Sequence, residues 1–266
     1  MRRLLFLVCL FLGGCSLVFR APAPMPQVNM NVGTDPRCLV VFLPGFGDGE
    51  GVFSEHGFVD ALRERRIAVD TISAGATFGY YTRRTLVERL EADVLEPAWK
   101  RRTYAETWLV GVSMGGMGAL LVARDDPRIT GMLLLAPYLG DKEVFAEIER
   151  AGGLARWDPP SPTEDDWQRE LWFWLRSVTA HPADRPLYLG AGATDPLGRG
   201  HRLLAGSLNS SHIYGTAGGH DWGPWRQLWG DFLDHSELAQ RCSPPRGEKI
   251  SRDRHSGAFS LSESGL

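Results

Sequence analysis

Ser113 stands in Gly111-Val112-Ser113-Met114-Gly115, a glycine-x-serine-x-glycine pattern. A serine hydroxyl is a weak nucleophile until a base takes its proton, and that base needs an acid to orient it. Both residue types follow downstream. Asp195 lies in Gly192-Ala193-Thr194-Asp195-Pro196, and His220 in Ala217-Gly218-Gly219-His220-Asp221-Trp222. Ser, Asp and His together could perform acyl transfer through a covalent acyl-enzyme. Each also has a plainer reading. Asp195 suits a turn or a helix N-cap, with Pro196 in a first helical turn. His220 could hold its loop by a structural hydrogen bond. Asp221 is a rival acid, but adjacent side chains are poorly placed to orient one another, and it suits capping the last helix. His56 and His201 fall in or near helical segments. His181 sits in a Pro-rich connector, His212 starts a strand, and His235 and His255 lie in the last helix and the tail.

These residues need elements that bring them together. Thr107-Trp108-Leu109-Val110 reads as a short buried strand, and Gly116 to Ala123 as a packed helix with small residues on one side. A strand that turns sharply into a helix at a serine is a nucleophile elbow. Gly111 and Gly115 would leave room for neighbouring backbone and let the helix start close to the sheet. The helix N-terminus would then aim N–H groups at charge developing beside Ser113. Asp195 follows a strand candidate at Arg185 to Ala191, and His220 follows one at Ser211 to Thr216. Cys38 to Leu43 is an apolar, β-branched run that predicts a buried strand. It ends in Pro44-Gly45-Phe46-Gly47-Asp48-Gly49, where a first oxyanion donor arises in such sites. Phe46 N–H and Met114 N–H are the expected pair. The glycine-rich turn lacks both G-x-x-x-x-G-K-[ST] and G-x-G-x-x-G, which argues against a phosphate loop.

From about Cys38 to His235 the chain resembles the α/β-hydrolase superfamily. The resemblance rests on Leu43-Pro44-Gly45-Phe46-Gly47, Gly111-Val112-Ser113-Met114-Gly115-Gly116, Asp195 and Gly219-His220-Asp221-Trp222. The last, with Trp225-Arg226, is similar to the histidine loop of small esterases acting on thioesters, acetylated sugars or siderophore esters. The resemblance implies a Ser113–His220–Asp195 triad, a small-molecule ester substrate and no metal or other cofactor. Family members often carry His-Gly at the oxyanion loop, where this chain has Pro44-Gly45. A thioesterase, acyltransferase or peptidase would use the same triad. A non-catalytic envelope-binding lipoprotein is the alternative from another class.

The termini carry a second signal. Arg2-Arg3 precedes an apolar run from Leu4 to Leu12, and then comes Leu12-Gly13-Gly14-Cys15. This is the arrangement of a signal peptide, too short for a comfortable membrane span. It resembles a bacterial lipobox, which implies removal of residues 1–14 and lipidation of Cys15. A plain secretory signal or an uncleaved anchor would also fit. Ser16 after the cysteine implies an outer-membrane lipoprotein facing the periplasm. Residues 15–36 read as a linker, with Ala21 to Pro26 as a semi-rigid spacer. Cys38 and Cys242 remain as an even pair flanking the catalytic region, either bonded in an oxidising compartment or as two free thiols.

The chain of 266 residues has 43% hydrophobic and 23% charged residues and a formal charge of −3. That balance is ordinary for a globular domain and does not suggest a nucleic-acid surface. Strands and helices alternate. A helix is expected from the 51–60 region to Arg66, a strand at Ile67 to Ile72, a helix from Thr82 to about Arg101 and a strand at Gly131 to Ala136. Leu86, Leu90, Val94 and Leu95 mark the helical face on the sheet. The expectation is an α/β fold, a mostly parallel sheet with helices on both faces, spanning residues 37–242. Residues 138–182 break the alternation as a small helical cap insertion. Its Trp157, Trp167, Trp172 and Trp174 read slightly better as packing than as pocket wall. Residues 243–266 read as a disordered tail.

Overall fold

The computed structural model describes residues 18–159 and 166–242. Its centre is a seven-stranded sheet: β1 (Gln27–Val32), β2 (Cys38–Leu43), β3 (Val69–Ala74), β4 (Glu106–Val112), β5 (Gly131–Leu135), β6 (Leu187–Gly192) and β7 (Ile213–Thr216). The spatial order is β1-β3-β2-β4-β5-β6-β7. β1 runs antiparallel to β3, and every other neighbouring pair is parallel. Parallel strands need crossovers, and here helices supply them on both faces, so the central strands are apolar throughout. All six residues of β2 and all five of β5 are buried.

Side-chain alternation divides the core in two. Leu39, Val41, Leu43, Leu109, Met132 and Leu134 point to one face. There they meet α4 (Leu86–Leu90), α6 (Met114–Asp125), α7 (Lys142–Arg150), α8 (Trp167–Ala180) and α9 (Gly198–Ala205). Val40, Phe42, Trp108, Val110, Leu133 and Tyr188 point to the other. Their partners are α1 (Val52–Glu55), α2 (Phe58–Glu64), α10 (Trp222–His235) and α11 (Leu238–Cys242). α3 (Phe78–Thr82) and α5 (Glu96–Arg101) are further helices among the described residues, and a π-helical turn at Glu91–Leu95 joins α4 to α5.

The α/β architecture with its helical insertion matches the sequence expectation, and several boundaries differ for local reasons. The helix expected through Arg66 is broken into α1 and α2 by Gly57, whose φ of 75° no continuous helix allows. The segment 15–36 is not simply a linker, because its residues 27–32 form β1. Val28, Met30 and Val32 alternate with polar residues there, a period-two strand signal visible in the sequence.

Nor is Ala21–Pro26 only a semi-rigid spacer. Tyr80 Oη donates to Pro22 O at 2.6 Å, Met25 N–H to Asp93 Oδ2 at 2.8 Å, and Gly75 N–H to Pro26 O at 2.7 Å. Met25 is buried in the core. This N-terminal strap is therefore part of the domain. Cys38 and Cys242 form a disulfide with Cα atoms 5.4 Å apart, joining the start of β2 to the end of α11. Cys15, residues 1–14 and the tail 243–266 lie outside the described residues.

The insertion between β5 and β6 packs mainly into the helical layer. Trp157 and Trp172 are buried in the core, with Trp167 and Trp174 partly buried against it. Trp172 Nε1 donates to Leu139 O at 2.9 Å, which satisfies its polar edge inside that layer.

Candidate active site

Ser113 is the single residue between β4 and α6, with φ 53° and ψ −116°. That conformation is costly for a residue with a side chain, and its surroundings hold it in place. Ser113 N–H donates to Leu135 O at 2.8 Å, and Ser113 O accepts from Gly116 N–H at 3.0 Å and Tyr138 N–H at 2.9 Å. The flanking glycines are sterically required. A methyl on Gly111 would lie 2.2 Å from Gly115 O, and one on Gly115 would lie 2.0 Å from Leu43 O. The elbow therefore brings β4, the start of α6 and the end of β2 closer together than any other residue type allows.

Asp195 follows β6 and His220 follows β7, at the carboxyl ends of neighbouring parallel strands. Backbone bonds tie the two loops together: Ala193 N–H donates to Thr216 O at 2.8 Å, and Thr194 N–H to Gly218 O at 3.0 Å. His220 Nε2 lies 2.8 Å from Ser113 Oγ, and His220 Nδ1 lies 2.8 Å from Asp195 Oδ2. A carboxylate only accepts hydrogen bonds, so the Nδ1–H tautomer faces Asp195 and leaves Nε2 free to accept from the serine hydroxyl. The Asp195 side chain is fully buried, while that of His220 is 25% exposed. The imidazole is thus open to solvent on one side, while water is kept from the carboxylate. Trp225 packs edge-on to the imidazole with ring centres 5.0 Å apart.

Asp195 makes the local turn contact that its plainer reading expects, and it also faces the imidazole. Its Oδ1 accepts from Leu197 N–H at 2.8 Å in a turn, which leaves Oδ2 for the histidine. Asp221 has the other expected role, capping α10 by accepting from Gly223 N–H at 2.8 Å.

The loop after β2 runs beside the serine. A methyl built on Gly45 would lie 3.6 Å from Ser113 Cβ and 3.4 Å from Asp48 Oδ2. Phe46 follows, 60% exposed, and Met114 opens α6, where first-turn N–H groups have no intrahelical acceptor. Burial raises the Asp48 carboxyl above its ordinary value, opposed by nearby His56 and reinforced by Glu55.

One nearby group stood in the sequence only as a histidine in a helical segment. His201 on α9 is buried at 4% exposure, and its Nε2 bonds to Pro137 O at 3.0 Å. It thereby couples the helix that follows Asp195 to the loop beside the elbow. Burial pushes its pKa down, opposed by the charge of Asp195. Its sequence surroundings resemble those of any helical histidine, so only the tertiary contact marks it.

Residues 40–247 match the model of the alpha/beta hydrolase family, and the chain belongs to that family. A solved ferulic acid esterase is similar in fold, with a TM-score of 0.53 and 12% identity over 82% of this chain and 98% of that one. Est1E from Butyrivibrio proteoclasticus gives a TM-score of 0.51 and 16% identity over 79% of this chain and 93% of that one. TT1662 from Thermus thermophilus gives 0.50 and 16%, over 81% and 98%. At such identities the likeness concerns the fold. No curated protein matches the chain.

Proposed function

We propose that the protein is a serine hydrolase that cleaves a carboxylic ester through an acyl-enzyme. The observation that carries this reading is the continuous hydrogen-bonded relay from Ser113 through His220 to the buried carboxylate of Asp195. Ser113 Oγ attacks the acyl carbon while His220 Nε2 takes its proton. Asp195 holds the imidazole in the required tautomer and stabilises the imidazolium that forms. The N–H groups of Phe46 and Met114 receive the oxyanion. His220 then protonates the leaving alcohol. A water attacks the acyl-enzyme, giving its proton to the same nitrogen, and the acid is released with Ser113 restored. Membership of the hydrolase family and esterase neighbours support this chemistry.

The test is labelling by a fluorophosphonate, followed by turnover of p-nitrophenyl esters of graded acyl length. Label on Ser113 and ester turnover are expected. A folded protein that shows neither would be a binding module on a hydrolase scaffold.

We also propose that Cys15 carries a lipid that anchors the domain in a bacterial envelope. The Leu12-Gly13-Gly14-Cys15 motif supports this, as does a disulfide suited to an oxidising compartment. A clickable fatty acid fed to producing cells should label the wild type and not Cys15→Ser. An unlabelled wild type with another mature N-terminus would make this a plain secreted hydrolase.

A further inference from the structure

Three large hydrophobic side chains are exposed among the described residues: Phe19 at 50%, Phe46 at 60% and Phe173 at 41%. Two of them belong to one patch. Phe78 at the start of α3 bridges them, with ring centres 5.6 Å from Phe19 and 5.2 Å from Phe46. The patch thus joins the N-terminal strap to the loop beside Ser113. Arg20 on the strap and Arg83, just after α3, are exposed.

The strap has little freedom to swing. Phe19 O and Arg20 O both lie within 2.5 Å of where a methyl on Gly79 would be, so the chain crosses directly over α3. Thr77 Oγ1 donates to Arg20 O, and Tyr80 Oη to Pro22 O. Four Cα–Cα steps lead from Cys15 to Phe19, a reach of at most about 14 Å at ~3.5 Å per step. A lipid on Cys15 would therefore hold the patch, rather than an arbitrary side of the domain, close to the bilayer. Aromatic rings flanked by arginines suit the headgroup region, where apolar bodies sink in and cations stay hydrated.

We propose that Phe19, Phe46 and Phe78 form a bilayer-contacting face, so that the active site opens onto the phospholipid surface and takes an ester carried there by a lipid. This rests on the ester-hydrolase and lipid-anchor readings above, and it adds the orientation and the class of substrate.

The test uses the full chain in a bacterium with lipoprotein processing, with p-benzoylphenylalanine replacing Phe19, Phe46 or Phe173 in turn. After irradiation, phospholipid adducts are read by mass spectrometry of the peptides. Adducts at 19 and 46 are expected at about tenfold or more the yield at 173, which lies on α8 in the β5–β6 crossover. Equal yields at all three positions would mean a freely swinging domain and would overturn the proposal. Its defeat would also follow from protein adducts in place of lipid, or from no adducts at all.

Fatty-acid labelling and fluorophosphonate labelling of the same chain report the anchor and the nucleophile separately. Adducts at 19 and 46 without fatty-acid label would leave the face standing and remove the anchor. For the substrate, Phe19→Ser with Phe78→Ser should lower hydrolysis of a diacylglycerol in phosphatidylethanolamine–phosphatidylglycerol vesicles by about tenfold. Turnover of soluble p-nitrophenyl acetate should be unchanged. Equal loss on both substrates, or on neither, would reject a lipid-borne ester.

Discussion

Asp195 meets His220 through one carboxylate oxygen at 2.8 Å, and its other oxygen is fixed by the N–H of Leu197 at 2.8 Å. The carboxylate is therefore held from both sides. Asp221, next to the histidine in sequence, is turned away to cap α10. Replacing Asp195 with Asn should lower turnover by about four orders of magnitude, because an amide N–H would favour the wrong tautomer. Asp221→Asn should keep most activity, and any change should appear as about 1 kcal/mol or less in urea denaturation. Steady-state kinetics that gave the reverse ranking would move the acid role to Asp221.

Removing the nucleophile should be more severe. Ser113→Ala should lower ester turnover on the order of a million-fold, with residual catalysis left to the oxyanion donors. Circular dichroism and the melting temperature should stay close to wild type, which separates a chemical loss from a folding loss. More than about a hundredth of the wild-type rate would show that Ser113 is not the nucleophile.

The elbow glycines make a different prediction. A methyl at Gly115 would sit 2.0 Å from Leu43 O, a backbone atom that cannot rotate away. Gly115→Ala should cost at least about 2–3 kcal/mol in chemical denaturation, or prevent folding. Gly215 on β7, where a methyl meets nothing within 4 Å, is the matched control and should tolerate alanine. Equal stability of the two variants would contradict the close approach.

His201 predicts a pH dependence of stability. Burial holds its folded-state pKa below the ordinary 6.5, so below that pH the unfolded chain binds a proton that the folded chain resists. The stability linked to His201 is complete above 6.5 and declines as pH falls through and below it. His201→Gln should retain a donor towards Pro137 O and remove this component. Melting temperatures between about pH 8 and about pH 5 should then fall less steeply for the variant than for wild type. Identical slopes would show that His201 does not resist protonation in the folded state.

The disulfide joins residues 204 apart in sequence. The chain-entropy account assigns a loop of that size a stabilisation of about 5 kcal/mol, and measured values run lower. Cys38→Ser with Cys242→Ser should reduce the melting temperature on the order of 10 °C while leaving turnover at low temperature intact. Calorimetry of the reduced and oxidised wild type provides the same comparison without mutation.

The sequence alone determined whatever depends on neighbours along the chain. Gly111 and Gly115 around Ser113 marked the elbow because only glycine permits such backbone approach. The apolar runs at β2, β4 and β5 marked a buried parallel sheet because burial on both faces removes polar alternation. Order along the chain then nominated Asp195 and His220. Tertiary structure decided what depends on distant groups. It turned one of two plausible aspartates towards the imidazole, and it buried His201 behind the elbow. It also bound Ala21–Pro26 through Tyr80, Asp93 and Gly75, a segment whose prolines alone describe a spacer. Local spacing cannot encode these outcomes, because each hydrogen bond joins residues that only the folded sheet brings within 3 Å of one another.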